Sequence, residues 1–185
     1  MEKEIVTEQH RWLEQLVGDW TYESTVVMGP GETETYIGTD RVRALGEFWV
    51  IADGEGEFPG DGPARMVVTL GYDPRRKRFT GTFIHSMMSY LWLYDGDLDG
   101  TRRVLTLESA GPSMEDPGAT ARYRDVIEIV SGSERLFNSY ALQDDGKWHE
   151  FMSARYTRVA TKTIQQVMSP LEHIAPKLKE VRPPA

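Results

Sequence analysis

The segment Trp20–Met28, which reads WTYESTVVM, has the alternation of a β-strand that buries one face. Trp20, Tyr22 and Val26 would lie on the same side, because successive side chains of a strand point to opposite faces. Gly29-Pro30-Gly31 follows at once, and glycine and proline interrupt regular structure. The segment is therefore predicted to be the first strand of a sheet.

Short segments of the same character continue to residue 159. The predicted later strands are 33–45, 48–57, 66–72, 79–87, 90–94, 105–107, 121–130, 134–143 and 147–159. Asp99-Gly100 and Asp145-Gly146 are typical of the turns that join such strands. None of the connections has the pattern of a crossover helix. About ten antiparallel strands are therefore expected, in a barrel or a sandwich.

The two ends of the chain do not continue this pattern. Trp12, Leu13 and Leu16 recur at helical spacing behind the potential N-cap Thr7, which predicts a short helix within residues 1–17. Such a helix cannot bury its apolar stripe alone, so it is expected to close one end of the sheet domain, residues 18–159. Residues 160–185 contain several prolines and are predicted to be an irregular C-terminal tail.

Charge and composition exclude several classes of function. The formal net charge of −8 opposes general binding to nucleic acid or anionic lipid, so neither is expected as a partner. The chain has no cysteine, which excludes disulfides, thiolate zinc sites and a cysteine nucleophile. No apolar run resembles a signal peptide or reaches the ~20 residues of a membrane-spanning helix. Together these features predict a cytoplasmic location.

Several motifs resemble those of known families. Gly18-Asp19-Trp20, placed between the helix and the first strand, is similar to the start of lipocalins and other calycins. More of the chain resembles an uncharacterised bacterial domain-of-unknown-function family with a lipocalin-like barrel, through Leu16–Trp20, Met28–Gly31, Leu70–Pro74, Gly81–Met87 and Tyr156–Arg158. The resemblance implies an all-β fold, an antiparallel up-and-down β-barrel of about ten strands. It implies no activity.

His85 is the most interesting single residue. It shares a predicted strand face with Phe83 and Met87, so its imidazole could line a cavity, contact a ligand or ligate a haem. The favoured interpretation is a core histidine that bonds a backbone carbonyl, because buried polar groups usually find partners. A role as acid or base would need a partner within hydrogen-bond reach, and alternation alone offers Asp125, Glu150 and Tyr123.

Tyr156 and Arg158 are two residues apart on the last predicted strand, so they share a face. The pair is similar, in reverse order, to the Arg and Tyr with which fatty-acid-binding barrels hold a carboxylate. The fixed fork of guanidinium donors suits that task. The favoured alternative is a closure of lipocalin type, in which Arg158 stacks on Trp20.

Aromatic residues are frequent among the predicted strands. Trp20, Trp49, Tyr90, Trp92 and Tyr94 could stack on a flat ligand, although core and rim packing is favoured. The complete set of cavity candidates is His85, Phe83, Met87, Tyr90, Trp92, Tyr123, Tyr156 and Arg158.

Two charged runs could be binding sites. Asp95, Asp97, Asp99 and Gly100 begin like a calcium loop, but the twelfth position holds Thr106 where an EF-hand requires Glu. An acidic turn is favoured there, and a solvated turn is favoured for the basic run 75–78. No hydrolase, zinc-protease or dinucleotide motif occurs. The sequence therefore predicts no metal site and no cofactor.

Three functions stay open, and none is an established activity. The first is a binding protein that holds a hydrophobic or amphipathic anionic small molecule in the barrel, with haem binding as a variant. The second is an enzyme that uses the same cavity with His85 as acid or base. The third is an oligomeric scaffold, with Trp49 and Ile51 in an outward patch that could form a homodimer. We rank them in this order.

Overall fold

A computed structural model describes residues 4–58, 62–116 and 118–160. Its strands form one closed barrel in which every strand pairs antiparallel with its neighbours in sequence and the last strand pairs with the first. This confirms the predicted up-and-down barrel of ten strands with a short N-terminal helix. The predicted tail, residues 160–185, lies outside the described residues except for residue 160. In the described part of the chain, no helix has the length and apolar character needed to cross a membrane.

Along the chain, one short helix is followed by ten strands. The helix α1 covers Glu8–Leu13 and continues into a 3-10 turn, Glu14–Leu16. The ten strands are β1 Gly18–Gly29, β2 Glu32–Leu45, β3 Trp49–Phe58, β4 Gly62–Asp73, β5 Arg78–His85, β6 Met88–Leu98, β7 Val104–Pro112, β8 Thr120–Ser131, β9 Glu134–Leu142 and β10 Trp148–Arg158.

The helix α1 lies across one end of the barrel, which we call the closed end. Trp12, Leu13 and Leu16 are each at most 2% exposed and join the core that contains Trp20 and Phe79. Trp12 Nε1 also donates to the carbonyl of a residue between β6 and β7, at 2.8 Å. The helix has only six residues and would not be stable by itself, so tertiary burial of its apolar stripe holds it in place.

Side chains alternate along each strand, so every second side chain points into the barrel. In β1, Trp20, Tyr22 and Ser24 are buried, and the residues between them are exposed. Inward-facing Gly38 and Gly56, which pair with each other on β2 and β3, have no side chains and leave room for the Tyr22 ring. Large aromatic side chains therefore lie flat against stretches of the inner wall where the neighbouring residue is glycine.

Candidate functional site

The two ends of the barrel interior differ in packing. At the closed end, Leu16, Trp20, Phe79 and Leu105 are 0–1% exposed. The opposite end, which we call the far end, lies where β5 finishes and β6 begins. Phe83 and Trp92 there are partly exposed, whereas His85 and Tyr123 are buried. Part of the aromatic surface of Phe83 and Trp92 is therefore left uncovered at the far end.

His85 is the last residue of β5 and lies at the far end. It is 7% exposed, pairs in register with Met66, and its Nδ1 accepts the backbone N–H of Met87 at 3.2 Å. The Phe83 ring is 6.1 Å from the imidazole. Burial lowers the pKa of His85, so the imidazole is neutral at pH 7. A neutral imidazole can both donate and accept a hydrogen bond.

The three residues that alternation offered as acid–base partners of His85 are engaged elsewhere. The Tyr123 hydroxyl donates to the Pro112 carbonyl at 2.7 Å. Glu150 accepts from the Asn138 amide at 2.7 Å, on the outer face. Asp125 accepts from two other side chains, as described below. These hydrogen bonds engage the three groups that alternation offered as partners of His85.

Four aromatic rings from β6, β8 and β10 meet at the far end. Trp92 packs edge-on against Tyr90 and Tyr123, with ring centroids 5.0 Å apart in both pairs. Phe151 extends the group, 6.2 Å from Tyr123. A side chain at Gly111 would collide with the Trp92 ring, so this glycine allows the indole to lie on the wall. Tyr90, 39% exposed, lies at the rim of this cluster.

Met87 does not line the interior. The sequence prediction extended the strand to residue 87, but β5 ends at His85 and Met87 lies in the turn before β6. Its side chain is 41% exposed. A turn breaks the alternation, so a residue two positions after His85 no longer shares its face.

A half-buried carboxyl group points into the middle of the barrel. The Asp125 carboxyl accepts from the Tyr94 hydroxyl at 2.5 Å and from the Ser139 hydroxyl at 2.6 Å. Burial raises the pKa of Asp125, and it raises the pKa of Tyr94 well above its usual range. Sequence reasoning did not bring these three residues together. The available signal was a polar residue at an inward position of the alternation pattern on each of the strands β6, β8 and β9.

A buried ion pair lies one layer nearer the closed end. The Arg135 guanidinium donates to the Asp40 carboxylate at 2.6 Å, and the two side chains are 7% and 10% exposed. The guanidinium stands between the rings of Trp20 and Tyr156, 4.7 Å and 4.4 Å from their centroids. Burial raises the pKa of Asp40, although Arg135 acts against that shift. The sequence analysis did not identify this pair.

Tyr156 and Arg158 share a face but have different surroundings. The Arg158 guanidinium lies 4.1 Å from the Trp20 ring and donates to the carbonyls of Gln15, Val17 and Gly132. The structure thus has the stacked closure that was the favoured interpretation of Arg158. Tyr156 lies one layer further into the interior, beside Arg135.

The charged runs neutralise each other on the outer surface. Asp95 accepts from Arg76 and Arg78, and Asp97 pairs with Arg78. Hydrogen bonds from the neighbouring turn lower the pKa of Asp99 to about 2. In the described ranges, no three His, Asp or Glu side chains are grouped as metal ligands. Asp95 and Asp97 lie on β6, and Asp99 and Gly100 lie in the turn between β6 and β7, so the predicted acidic turn covers only the end of the segment.

The outward patch of the scaffold hypothesis is present in part. Trp49 is 40% exposed and lies in an outer-wall groove with Thr69, Thr82 and Leu93. Ile51 is only partly exposed.

These features define a closed, ten-stranded β-barrel of lipocalin-like type, plugged by a helix at one end and lined by aromatic and polar side chains. Residues 6–158 match the family model described as "Protein of unknown function (DUF1579)", and the chain belongs to that family. No curated protein matches the sequence.

Solved structures share the barrel. The S-type phycobiliprotein lyase of Guillardia theta is 12% identical with a TM-score of 0.55, and the alignment covers 84% of this chain and 95% of that protein. The protein Rv2717c of M. tuberculosis is 14% identical with a TM-score of 0.55, over 84% of this chain and all of the other. At these identities the likeness concerns the fold.

Proposed function

We propose that this barrel binds a small apolar or amphipathic molecule, which enters at the far end. The observation that carries the proposal is the difference between the two ends of the interior. Large apolar side chains at the closed end are at most 2% exposed, whereas Phe83 and Trp92 at the far end stay accessible. Protein interiors are normally packed to the density of organic crystals, so inward aromatic surface left uncovered is surface that a ligand can cover.

The lining proposed for the ligand combines flat apolar surface with a few polar atoms. Phe83, Trp92 and Tyr123 supply the aromatic surface, and His85 lies beside the Phe83 ring with a neutral imidazole. Ligand sites commonly have this composition, since apolar contact gives affinity and a small number of polar groups fix orientation. Tyr90 and Met87, both about two-fifths exposed, would contact the ligand only at the rim.

The charge of the ligand is a separate question. An anionic group needs a cation that is not already neutralised, because an unpaired charge inside a protein is costly. Arg158 is committed to three carbonyls at the closed end, and Arg135 is paired with Asp40. The contacts therefore favour an apolar or uncharged ligand over the anionic one considered from the sequence.

The test is a fluorescence titration with N-phenyl-1-naphthylamine, a neutral apolar probe whose emission rises when it leaves water. We expect saturable binding to the wild-type protein. Trp92→Ala should weaken it about tenfold or more, because it removes a buried aromatic contact worth roughly 1.5 kcal/mol. The matched control is Leu93→Ala, the next residue of β6, whose side chain is 63% exposed on the outer face.

Two results would count against the proposal. One is the absence of saturable binding by the folded wild-type protein. The other is an equal loss of affinity in Trp92→Ala and Leu93→Ala, which would place the probe on the outer wall. Circular dichroism of each variant establishes that the barrel is intact before the affinities are compared.

A further inference from the structure

Two tyrosines face each other across neighbouring strands in the barrel interior. Tyr22 on β1 pairs in register with Tyr156 on β10, and their ring centroids are 5.0 Å apart. Tyr22 is 8% exposed. Gly38 and Gly56 leave room for the Tyr22 ring and hydroxyl along the inner wall, where any larger residue would collide with them.

Neither hydroxyl has a hydrogen-bond partner among the residues that the structure describes. Within those residues, the side-chain atoms that are both fully buried and unpartnered are Nε of Arg124 and Nε of Arg135. The hydroxyls of Tyr22 and Tyr156 are not among them, so each keeps some accessible surface. Both side chains point inward, so a ligand inside the barrel could reach these hydroxyls. Buried tyrosine hydroxyls usually form a hydrogen bond. Two adjacent hydroxyls without one therefore mark a place where a ligand could supply the hydrogen-bond partner.

The charges around the two hydroxyls are balanced. Arg135 lies against the Tyr156 ring, but its charge is met by Asp40 at 2.6 Å. Asp125, the other interior carboxyl, adds negative charge if it is ionised. No unpaired cation lies beside the tyrosines in the described part of the barrel. An incoming carboxylate would lose its hydration without a counter-charge to replace it.

We propose that Tyr22 and Tyr156 form a polar subsite that hydrogen-bonds an uncharged oxygen group of the ligand, such as an alcohol or a carbonyl, rather than a carboxylate. This inference rests on the proposed function, because it names the head group that the same barrel would accept. The apolar part of the ligand extends from the subsite toward the aromatic side chains of the far end.

The experiment uses two ligands with the same chain and different head groups. Decan-1-ol and decanoate are each titrated against the complex of the full chain with N-phenyl-1-naphthylamine at about pH 8, where the carboxylate is ionised. The variants are Tyr22→Phe and Tyr156→Phe, which remove only the hydroxyl oxygen. The control is Tyr140→Phe, which removes a hydroxyl from the outer face of β9.

We expect decan-1-ol to displace the probe at a concentration at least about tenfold below that of decanoate. Each of the two interior variants should weaken decan-1-ol about fivefold to tenfold, the effect of one lost hydrogen bond, and should leave decanoate and the probe unchanged. Tyr140→Phe should change none of the affinities. The ratio of the decan-1-ol affinity to the decanoate affinity thus shrinks only in the interior variants. A difference in hydrophobicity between the two ligands would not by itself produce this result.

Three outcomes are distinguishable. The subsite would be overturned if decanoate bound as tightly as decan-1-ol. It would also be overturned if decan-1-ol bound to both interior variants as tightly as to the wild type. In those cases binding of the probe still supports the proposed function. If neither the probe nor decan-1-ol binds, the proposed function itself fails. Unpartnered hydroxyls contribute little to folding, so Tyr22→Phe and Tyr156→Phe should unfold at wild-type urea concentrations, and the affinities can be compared directly.

Discussion

Replacement of Arg135 by methionine should destabilise the barrel strongly, because it leaves the Asp40 carboxylate without its counter-charge. The two side chains are 7% and 10% exposed and their closest atoms are 2.6 Å apart. Little water can therefore replace the guanidinium as the partner of the carboxylate. Loss of one partner of such a pair costs about 3–5 kcal/mol. The contacts of the guanidinium with Trp20 and Tyr156 are lost as well, whereas methionine keeps much of the apolar packing.

The destabilisation should grow with pH. Burial already raises the pKa of Asp40, and removal of Arg135 takes away the group that opposes this shift. A carboxyl whose pKa is higher in the folded than in the unfolded state binds its proton more tightly when folded. Its contribution to stability is therefore present below the unfolded pKa of about 3.9 and is lost as pH rises toward the folded value. Arg135→Met should lose less stability near pH 4 than near pH 8.

The assay is urea unfolding followed by tryptophan fluorescence, with two companion variants. Arg155→Met removes an arginine that pairs with Glu134 at the surface and is 63% exposed, so it should cost at most about 1 kcal/mol. The double variant Arg135→Met/Asp40→Leu removes both charges and should recover most of the loss. The reasoning is refuted if Arg135→Met costs no more than Arg155→Met at pH 8, or if the double variant is less stable than the single one.

Three further predictions concern the same interior. Tyr94→Phe removes a hydroxyl that donates to a half-buried carboxyl group and should cost about 1–3 kcal/mol in urea unfolding, whereas Tyr90→Phe at the exposed rim should cost under about 1 kcal/mol. Gly56→Ala places a methyl group against the Tyr22 hydroxyl and should cost about 1–3 kcal/mol, and a thermal melt should show part of this loss recovered in Gly56→Ala/Tyr22→Phe. Burial raises the pKa of Asp125, so ionisation of this group lowers the stability of the folded protein as pH rises from about 3.9. Between pH 4 and 7, the free energy of unfolding of Asp125→Asn should therefore fall less with pH than that of the wild type. If both proteins show the same dependence on pH, Asp125 does not titrate in this range.

The strands were predictable because their signals are local. Alternation of apolar and polar residues determines which side chains can share a face, and Asp99-Gly100 or Gly29-Pro30-Gly31 marks where a strand must end. The error at Met87 has the same origin. The apolar residues at 83 and 87 suggested one continuous strand, and nothing in that spacing showed that a turn begins after His85.

The polar interior was not predictable in the same way. Arg135 and Asp40 are 95 residues apart in sequence, and they meet only because β1 pairs with both β2 and β10 and so closes the ring. Asp125 could be assigned to the inner face by alternation, but its partner could not. The sequence analysis considered it beside His85, whereas the register of β6, β8 and β9 brings Tyr94 and Ser139 to it.

The sequence by itself therefore determined the antiparallel all-β character, the approximate number of strands, the helix and the alternation of inward positions, since each follows from spacing between near neighbours along the chain. The choice of a barrel over a sandwich was implied by the family resemblance. Only the tertiary structure decided which inward residues meet. Tyr156 and Arg158 illustrate the difference, because they share a face on one strand and yet lie in different layers. Arg158 reaches the carbonyls at the closed end, while the Tyr156 ring lies against the Arg135 guanidinium. Strand register and barrel closure set these distances, and both depend on contacts between residues far apart in sequence.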